Sequence, residues 1–227
     1  MAKNYPRIDL SVDAVVFGYR PEQGISVLLI KRKNDPFKGL WAIPGGFVNK
    51  DEPLDAAVAR ELKEETGIKV NDLEQLHAFG DPKRDPRKRV VSIAYYALVK
   101  LDAYEVQASD DAEGAEWFSI KKLPKLAFDH HEILDMAISR LRYKISHEPV
   151  GFELLGHEFS FPELHKLYET LYGKKIDKRN FKKKFMRLGL LKEMKQKSGG
   201  GKFYKFKKKK YFRLKKKGIV LRFNGDA

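Results

Sequence analysis

The chain has 227 residues, room for one large domain or two small ones, and a formal charge of +15. It contains no cysteine, which excludes disulfides and thiolate metal sites. The first seven residues lack the apolar core of a signal peptide and no apolar run approaches a membrane span, so a cytoplasmic protein without a membrane partner is expected.

The charge is uneven. Residues 1–149 carry 23 Lys+Arg against 24 Asp+Glu, a net of −1, whereas residues 150–227 carry 23 against 7, a net of +16. A neutral front and a strongly basic back point to an anionic polymer or surface as partner of the C-terminal part.

In chain order, residues 10–17 and 25–31 are short β-rich runs around a turn region at 18–24 and predict paired strands. Residues 35–39 predict a loop. Residues 41–46 predict a strand whose glycines, Gly45 and Gly46, let backbone carbonyls approach an ion. A helix follows. Asp51 or Glu52 can cap it, Pro53 suits its first position, Leu54, Val58 and Leu62 form an apolar stripe, and Gly67 can close it. On the same helix Glu61, Glu64 and Glu65 stand at i, i+3 and i+4, where like charges destabilise by roughly 0.2–0.5 kcal/mol per pair. Arg60 can offset one of them. The others call for a cation, and gathered hard oxygens suit Mg²⁺ (or Mn²⁺), with substrate phosphates completing the shell.

The segment fits the Nudix box at each defined position: Gly46, Glu52 after five residues, then Arg60, Glu61, Leu62, Lys63, Glu64, Glu65, Thr66, Gly67 and Ile68. The chain therefore resembles the Nudix superfamily. The resemblance implies a mixed sheet between helices, and hydrolysis of a nucleoside diphosphate linked to another group. By position, it implies that Glu61 and Glu65 hold metal together with Gly46, that Glu64 ligates metal or organises water, and that Arg60 orients a glutamate such as Glu52.

Residues 73–79 and 90–100 predict two further strands. Between them Asp81, Pro82, Lys83, Arg84, Asp85, Pro86, Arg87, Lys88 and Arg89 make either a solvated turn or a guanidinium clamp suited to phosphate. With the flanking Phe79-Gly80 and Val91 to Tyr96, this stretch resembles the ADP-ribose pyrophosphatase branch, which makes Arg84 and Arg87 candidate substrate contacts. In related hydrolases a carboxylate from the next acidic loop assists metal or water, and Asp110, Asp111, Glu113 and Glu116 are all open candidates. Asp129 is placed to cap a helix to about residue 145 whose Ile133, Leu134, Ala137, Ile138 and Leu141 form a buried stripe.

Pro149 and Gly151 mark a boundary, giving expected domains 1–148 and 149–227. Ser160 to Glu163 predicts a capping box opening a helix that Gly173 ends. A second helix starts at Asp177, with Phe181, Phe185 and Leu188 inward and Lys178, Arg179, Lys182, Lys183 and Arg187 outward. A tip at 198–201 and strand-like runs at 203–206, 211–214 and 219–223 follow, separated by lysines such as Lys202.

Helix, turn, basic helix and Gly-tipped β segment is the order of a winged helix, whose second helix enters the major groove of duplex DNA. Both parts together resemble the Nudix-related transcriptional regulators, which join an ADP-ribose-type Nudix domain to a C-terminal winged helix. The implied fold is α+β: a Nudix α/β/α sandwich with a mixed sheet, then a small winged helix-turn-helix domain. The implied protein is a homodimer whose DNA affinity answers to ADP-ribose or a relative. Its box keeps Glu52, Glu61, Glu64 and Glu65, so hydrolysis to AMP and ribose 5-phosphate is expected too. Two alternatives stand beside this. One is a plain ADP-ribose pyrophosphatase whose basic part recruits it to RNA or another anion. The other is a regulator whose effector is a sugar.

Overall fold

The computed structural model describes residues 7–70, 72–101, 112–148, 154–194 and 201–217. Asp110, Asp111 and the stretches 198–200 and 219–223 lie outside the described residues. Internal contacts divide the chain into two units, Met1–Gly18 with Ser26–Ile138, and Tyr19–Ile25 with Ser139–Ala227.

The first unit is built on β1 (Asp9–Arg20), β2 (Gly24–Arg32), β3 (Trp41–Ala42), β4 (Gly45–Phe47), β5 (Glu74–Phe79), β6 (Val90–Lys100) and β7 (Ala112–Ser119). The sheet order is β3-β2-β1-β6-β5, with β4 antiparallel to β1 and β7 antiparallel to β2. Residues 12–18 of β1 are buried without a break, as a strand must be when both faces of its sheet are covered. On one face Val12, Ala14, Val16, Leu28, Tyr95 and Val99 pack against Ala57, Val58 and Leu62 of α1 (Leu54–Thr66). Each such fully buried aliphatic side chain contributes about 1.5–3 kcal/mol relative to exposure. Strand alternation sends Asp13, Val15 and Phe17 to the other face. There the Asp13 carboxylate lies 3.7 Å from His130, the first residue of α2 (His130–His147), which buries Ile133, Leu134 and Ala137.

The second unit contains β8 (Phe159–Ser160), α3 (Phe161–Tyr172), α4 (Lys178–Leu188), β9 (Leu191–Glu193), β10 (Phe203–Phe206) and α5 (Lys208–Lys216), with the antiparallel order β8-β10-β9. Ser160 and Glu163 form the reciprocal capping box, and Gly173 closes α3 at φ 67°. Asp177 caps α4 by accepting from the Asn180 N–H at 2.7 Å, and Gly189 closes it at φ 61°. The core between α3 and α4 is aromatic. Phe181 stands 5.7 Å from Phe161, 5.0 Å from Tyr168 and 4.8 Å from Phe185.

Four local expectations are corrected. Neither Asp51 nor Glu52 caps α1: Pro53 is the cap residue without a side-chain bond, because Arg60 draws the Glu52 carboxylate away. The strand expected over 41–46 is split at Ile43-Pro44, since the Ile43 N–H donates to His130 Nδ1 at 2.9 Å and Pro44 has no N–H. Asp129 carries Arg84 on its carboxylate instead of serving only as a helix cap. The run 211–214 is helical, part of α5, because Tyr211 and Leu214 turn inward at i and i+3 while Phe212 and Arg213 face solvent.

Candidate functional site

Arg60 organises the acidic face of α1. Its Nε and Nη2 donate to the two Glu52 oxygens at 3.0 and 2.6 Å, and its Nη1 donates to Glu61 at 2.7 Å and Glu64 at 3.0 Å. Nη2 also reaches the Phe47 carbonyl at 3.2 Å, tying the helix to β4. The Arg60 fork, helped by the Asn49 N–H, holds the Glu52 carboxyl down at about 2, and the three glutamates push Arg60 upward.

Glu61 and Glu65 respond in the opposite direction. Burial raises Glu61 above the usual carboxylate range although Arg60 opposes it. Burial pushes Glu65 up to about 8; the Gly45 N–H donates to it at 2.8 Å and lowers it, while Glu61 and Asp13 raise it further. Gly46 makes this crowding possible, because a Cβ there would meet the Glu61 carboxyl at 2.5 Å.

Among the described residues no three carboxylate or imidazole groups form a closed metal cage. The donor set is instead two desolvated carboxylates beside glycine backbone. That suits a hard divalent ion, which takes one or two carboxylates and keeps waters or substrate phosphates for the rest. The residues present fit such an ion.

Next to the carboxylates lies a cleft of about 150 Å³ whose lining includes Gly46, Phe47, Phe128, Arg32, Arg84 and Arg87. Arg84 is buried and forked onto Asp129, both bonds at 2.8 Å, with Asp13 at 3.7 Å. The Ser92 hydroxyl donates to Asp13 in turn. Arg87 is held by Asp85 at 3.0 and 2.8 Å, and its guanidinium carbon lies 5.8 Å from the ring centres of both Phe47 and Phe128. Arg32 donates to the Pro36 carbonyl at 2.9 Å and lies 4.8 Å over Phe128, its pKa lowered first by burial and then by Arg87. Three guanidiniums around two aromatic rings can take phosphate by charge and a flat ring by stacking.

The structure thus brings Glu52, Arg60, Glu61, Glu64 and Glu65 together and sets Arg84 and Arg87 in the neighbouring cleft. Arg84 is bound to Asp129 rather than free. Glu116 is exposed on β7 opposite Leu29, and the Glu113 side chain lies outside the described residues. Asp13 and Arg32 are not singled out by the sequence. A lone carboxylate inside the apolar run 12–17 was the available signal for Asp13, and an arginine ending an apolar strand was that for Arg32.

In the second unit Lys178, Arg179, Lys182, Lys183 and Arg187 all lie on the solvent side of α4, and none has a carboxylate partner among the described residues. Lys202, at the foot of β10, is paired with Glu193 at 2.7 Å.

The NUDIX domain family matches residues 9–137, and the NrtR DNA-binding winged helix domain family matches residues 151–214. The chain belongs to the Nudix family, in the group that carries an NrtR winged helix. This Nudix chain is 36% identical over 203 residues to the ADPR responsive transcriptional repressor NtrR of Acinetobacter baylyi, covering 88% of this chain and 80% of that protein. Its front part is 46% identical over 127 residues to the ADP-ribose pyrophosphatase of Methanocaldococcus jannaschii, covering 55% of this chain and 70% of that one. Among solved structures, Shewanella oneidensis NrtR complexed with a 27mer DNA matches with a TM-score of 0.72 and 31% identity, over 89% of this chain and 95% of that one. The NUDIX domain of the same protein, complexed with ADP ribose, matches with a TM-score of 0.56 and 36% identity, over 62% and 93%. The Nudix fold followed by a winged helix is the architecture expected from the sequence. Nudix hydrolases generally use divalent metal ions, in keeping with the desolvated Glu61 and Glu65. No helix among the described residues is long and apolar enough to cross a membrane.

Proposed function

We propose that this protein is a ligand-responsive DNA-binding regulator: residues 1–148 bind and hydrolyse ADP-ribose or a close relative, and residues 149–227 bind duplex DNA. The single observation that carries it is the presence, on one chain, of a complete carboxylate cluster beside an arginine-lined cleft and of a basic helix with no internal counter-charge. The likeness to the Acinetobacter repressor along most of the chain supports the pairing of the two activities.

In the cleft, Arg32, Arg84 and Arg87 neutralise charge on a diphosphate, and Phe47 and Phe128 offer faces to a planar base. Glu61 and Glu65 would hold the divalent ion, Mg²⁺ by the hardness of the donors, which when bound supplies Lewis-acid polarisation and an activated water. Glu64 is half exposed, and with Arg60 on one oxygen at 3.0 Å its other oxygen can accept the proton of an attacking water. Glu52 keeps Arg60 in place and thereby the rest of the acidic face. As a homodimer the protein would set two α4 helices on half-sites about 34 Å apart, one turn of DNA.

The test is a gel-shift titration of upstream duplex with and without ADP-ribose, run beside product analysis with Mg²⁺. ADP-ribose should change the midpoint, and AMP with ribose 5-phosphate should accumulate. Absence of DNA binding at low salt ends the regulator claim. The 46% identity of the front part to an ADP-ribose pyrophosphatase favours a second reading, a hydrolase with a recruiting basic module, which predicts turnover with no ligand effect on DNA.

A further inference from the structure

The sequence predicts a strand where α5 forms, and the matched winged-helix stretch runs into this helix as far as residue 214. α5 contains Lys208, Lys209, Lys210, Arg213, Lys215 and Lys216 among nine residues and no acidic residue. Lys208, Lys209, Arg213 and Lys216 are exposed and have no carboxylate partner among the described residues; Lys215 alone is paired, with Glu148 at 2.7 Å.

This arrangement works against the helix itself. Lys209 and Arg213 repel at i, i+4, as do Arg213 and Lys217. Three lysines occupy the first turn, where the helix dipole disfavours positive charge, and Lys207 provides no side-chain cap. The helix nevertheless has a fixed seat. Tyr211 is buried, with Phe206 5.9 Å away, and the Lys207 N–H donates to the Leu190 carbonyl at 2.8 Å. At the end of α4, a Cβ on Gly189 would fall 2.6 Å from Lys210 Nζ, so α5 abuts the C-terminal turn of α4. Its cations therefore sit on a helix packed at the end of α4 instead of on a separate tail.

The geometry points to α5 as a second phosphate-contacting surface for duplex DNA, extending the footprint of α4 along the backbone without reading bases. This rests on the DNA-binding reading above. Lysines without aromatic or amide partners at a groove favour phosphate over base edges. Nine residues at 1.5 Å each span about 13 Å, the length of roughly four base pairs. An anionic membrane is the rival polyanion, but an interfacial helix needs a broad apolar face. On α5 only Phe212 projects outward, since Tyr211 is buried and Leu214 half-buried.

The experiment compares full-length protein with a Lys208→Gln, Lys209→Gln, Arg213→Gln, Lys216→Gln variant. All four side chains are exposed, and a thermal midpoint no lower than that of the wild type verifies the fold. Binding is measured between about 50 and 200 mM salt on a random-sequence duplex of about 40 base pairs. The variant should lose about 10- to 100-fold in affinity, and its log–log salt slope should become shallower by about two to four. Loss should be equal for any sequence, as expected of phosphate contacts. Wild-type binding with an unchanged slope in the variant overturns this proposal alone. A variant that loses binding only to phosphatidylserine vesicles, with DNA untouched, also overturns it in favour of a membrane surface. No wild-type DNA binding at low salt overturns the DNA-binding reading together with it.

Discussion

Two helices of this molecule carry dense charge of one sign and handle it in opposite ways. On α1 the glutamates are cross-linked by Arg60, whose fork, bonds and backbone contact fix Glu52, Glu61 and Glu64 to within one hydrogen-bond length of a common centre. On α4 Lys178, Arg179, Lys182, Lys183 and Arg187 stand in solvent, Lys182 with its ammonium 5.6 Å from the centre of the Phe161 ring. Internally balanced charge has a defined geometry, which a small ligand or ion requires. Charge left open has no geometry of its own but a valence, which a polymer of phosphates requires. The difference separates a site from a surface.

The strongest way to break that contrast is through the aromatic seat of α4. Phe185 is fully buried between Tyr168 and Phe181, so Phe185→Ala should cost about 3–5 kcal/mol and unfold a small unit. DNA binding by the full chain should vanish while ADP-ribose hydrolysis by the same preparation persists; loss of both would show that the units do not stand apart. Next comes the cluster. Glu65→Gln removes a charge the buried site holds for a cation, and hydrolysis should fall about 100- to 1,000-fold with DNA affinity unchanged. Equal turnover in variant and wild type would remove the cluster from the chemistry.

A smaller effect is expected on the open surface. Lys182→Gln with Lys183→Gln should weaken DNA binding by about tenfold at moderate salt and flatten the salt slope by about two. A slope that does not move would mean that α4 does not meet the phosphates. The mildest prediction concerns His130, buried, bonded through Nδ1 to the Ile43 N–H, and held below its ordinary pKa of 6.5 first by burial and then by Arg84 and Arg32, with Asp13 and Asp129 opposing. The unfolded chain takes a proton near pH 6.5 while the folded chain resists it. Its contribution to stability is therefore full above that pH and declines as pH falls below it. Thermal midpoints at pH 5 and 7.5 should differ more in wild type than in His130→Gln, and identical differences would refute the point.

Much of this was legible from local pattern. The i, i+3, i+4 glutamates and the Gly67 end of α1 lie within a few turns of one another, and the capping box at Ser160 spans four residues. Such signals are short in sequence and act through nearest neighbours, so they survive in any fold that keeps the element. Where two local signals competed, the sequence misled. Glu52 was available both as a helix cap and as a partner for Arg60, and the stronger charge-assisted fork won. Residues 211–214 read Tyr-Phe-Arg-Leu, types compatible with a strand, yet the Lys207 bond to the Leu190 carbonyl and the Phe206 ring beside Tyr211 seat them as one turn of helix.

By itself the sequence determined which residues are charged, how they repeat along α1 and α4, and hence the class of ion and polymer each helix suits. Only the tertiary structure decided which charges are spent inside the protein. Arg84 meets Asp129 across 45 positions, Asp13 meets Ser92 across 79, and His130 meets Ile43 across 87. No spacing rule reaches that far. Such pairs form because the sheet and α2 bring distant carboxylates, a guanidinium and an imidazole into one poorly solvated cleft, where each must find a partner or lose its charge.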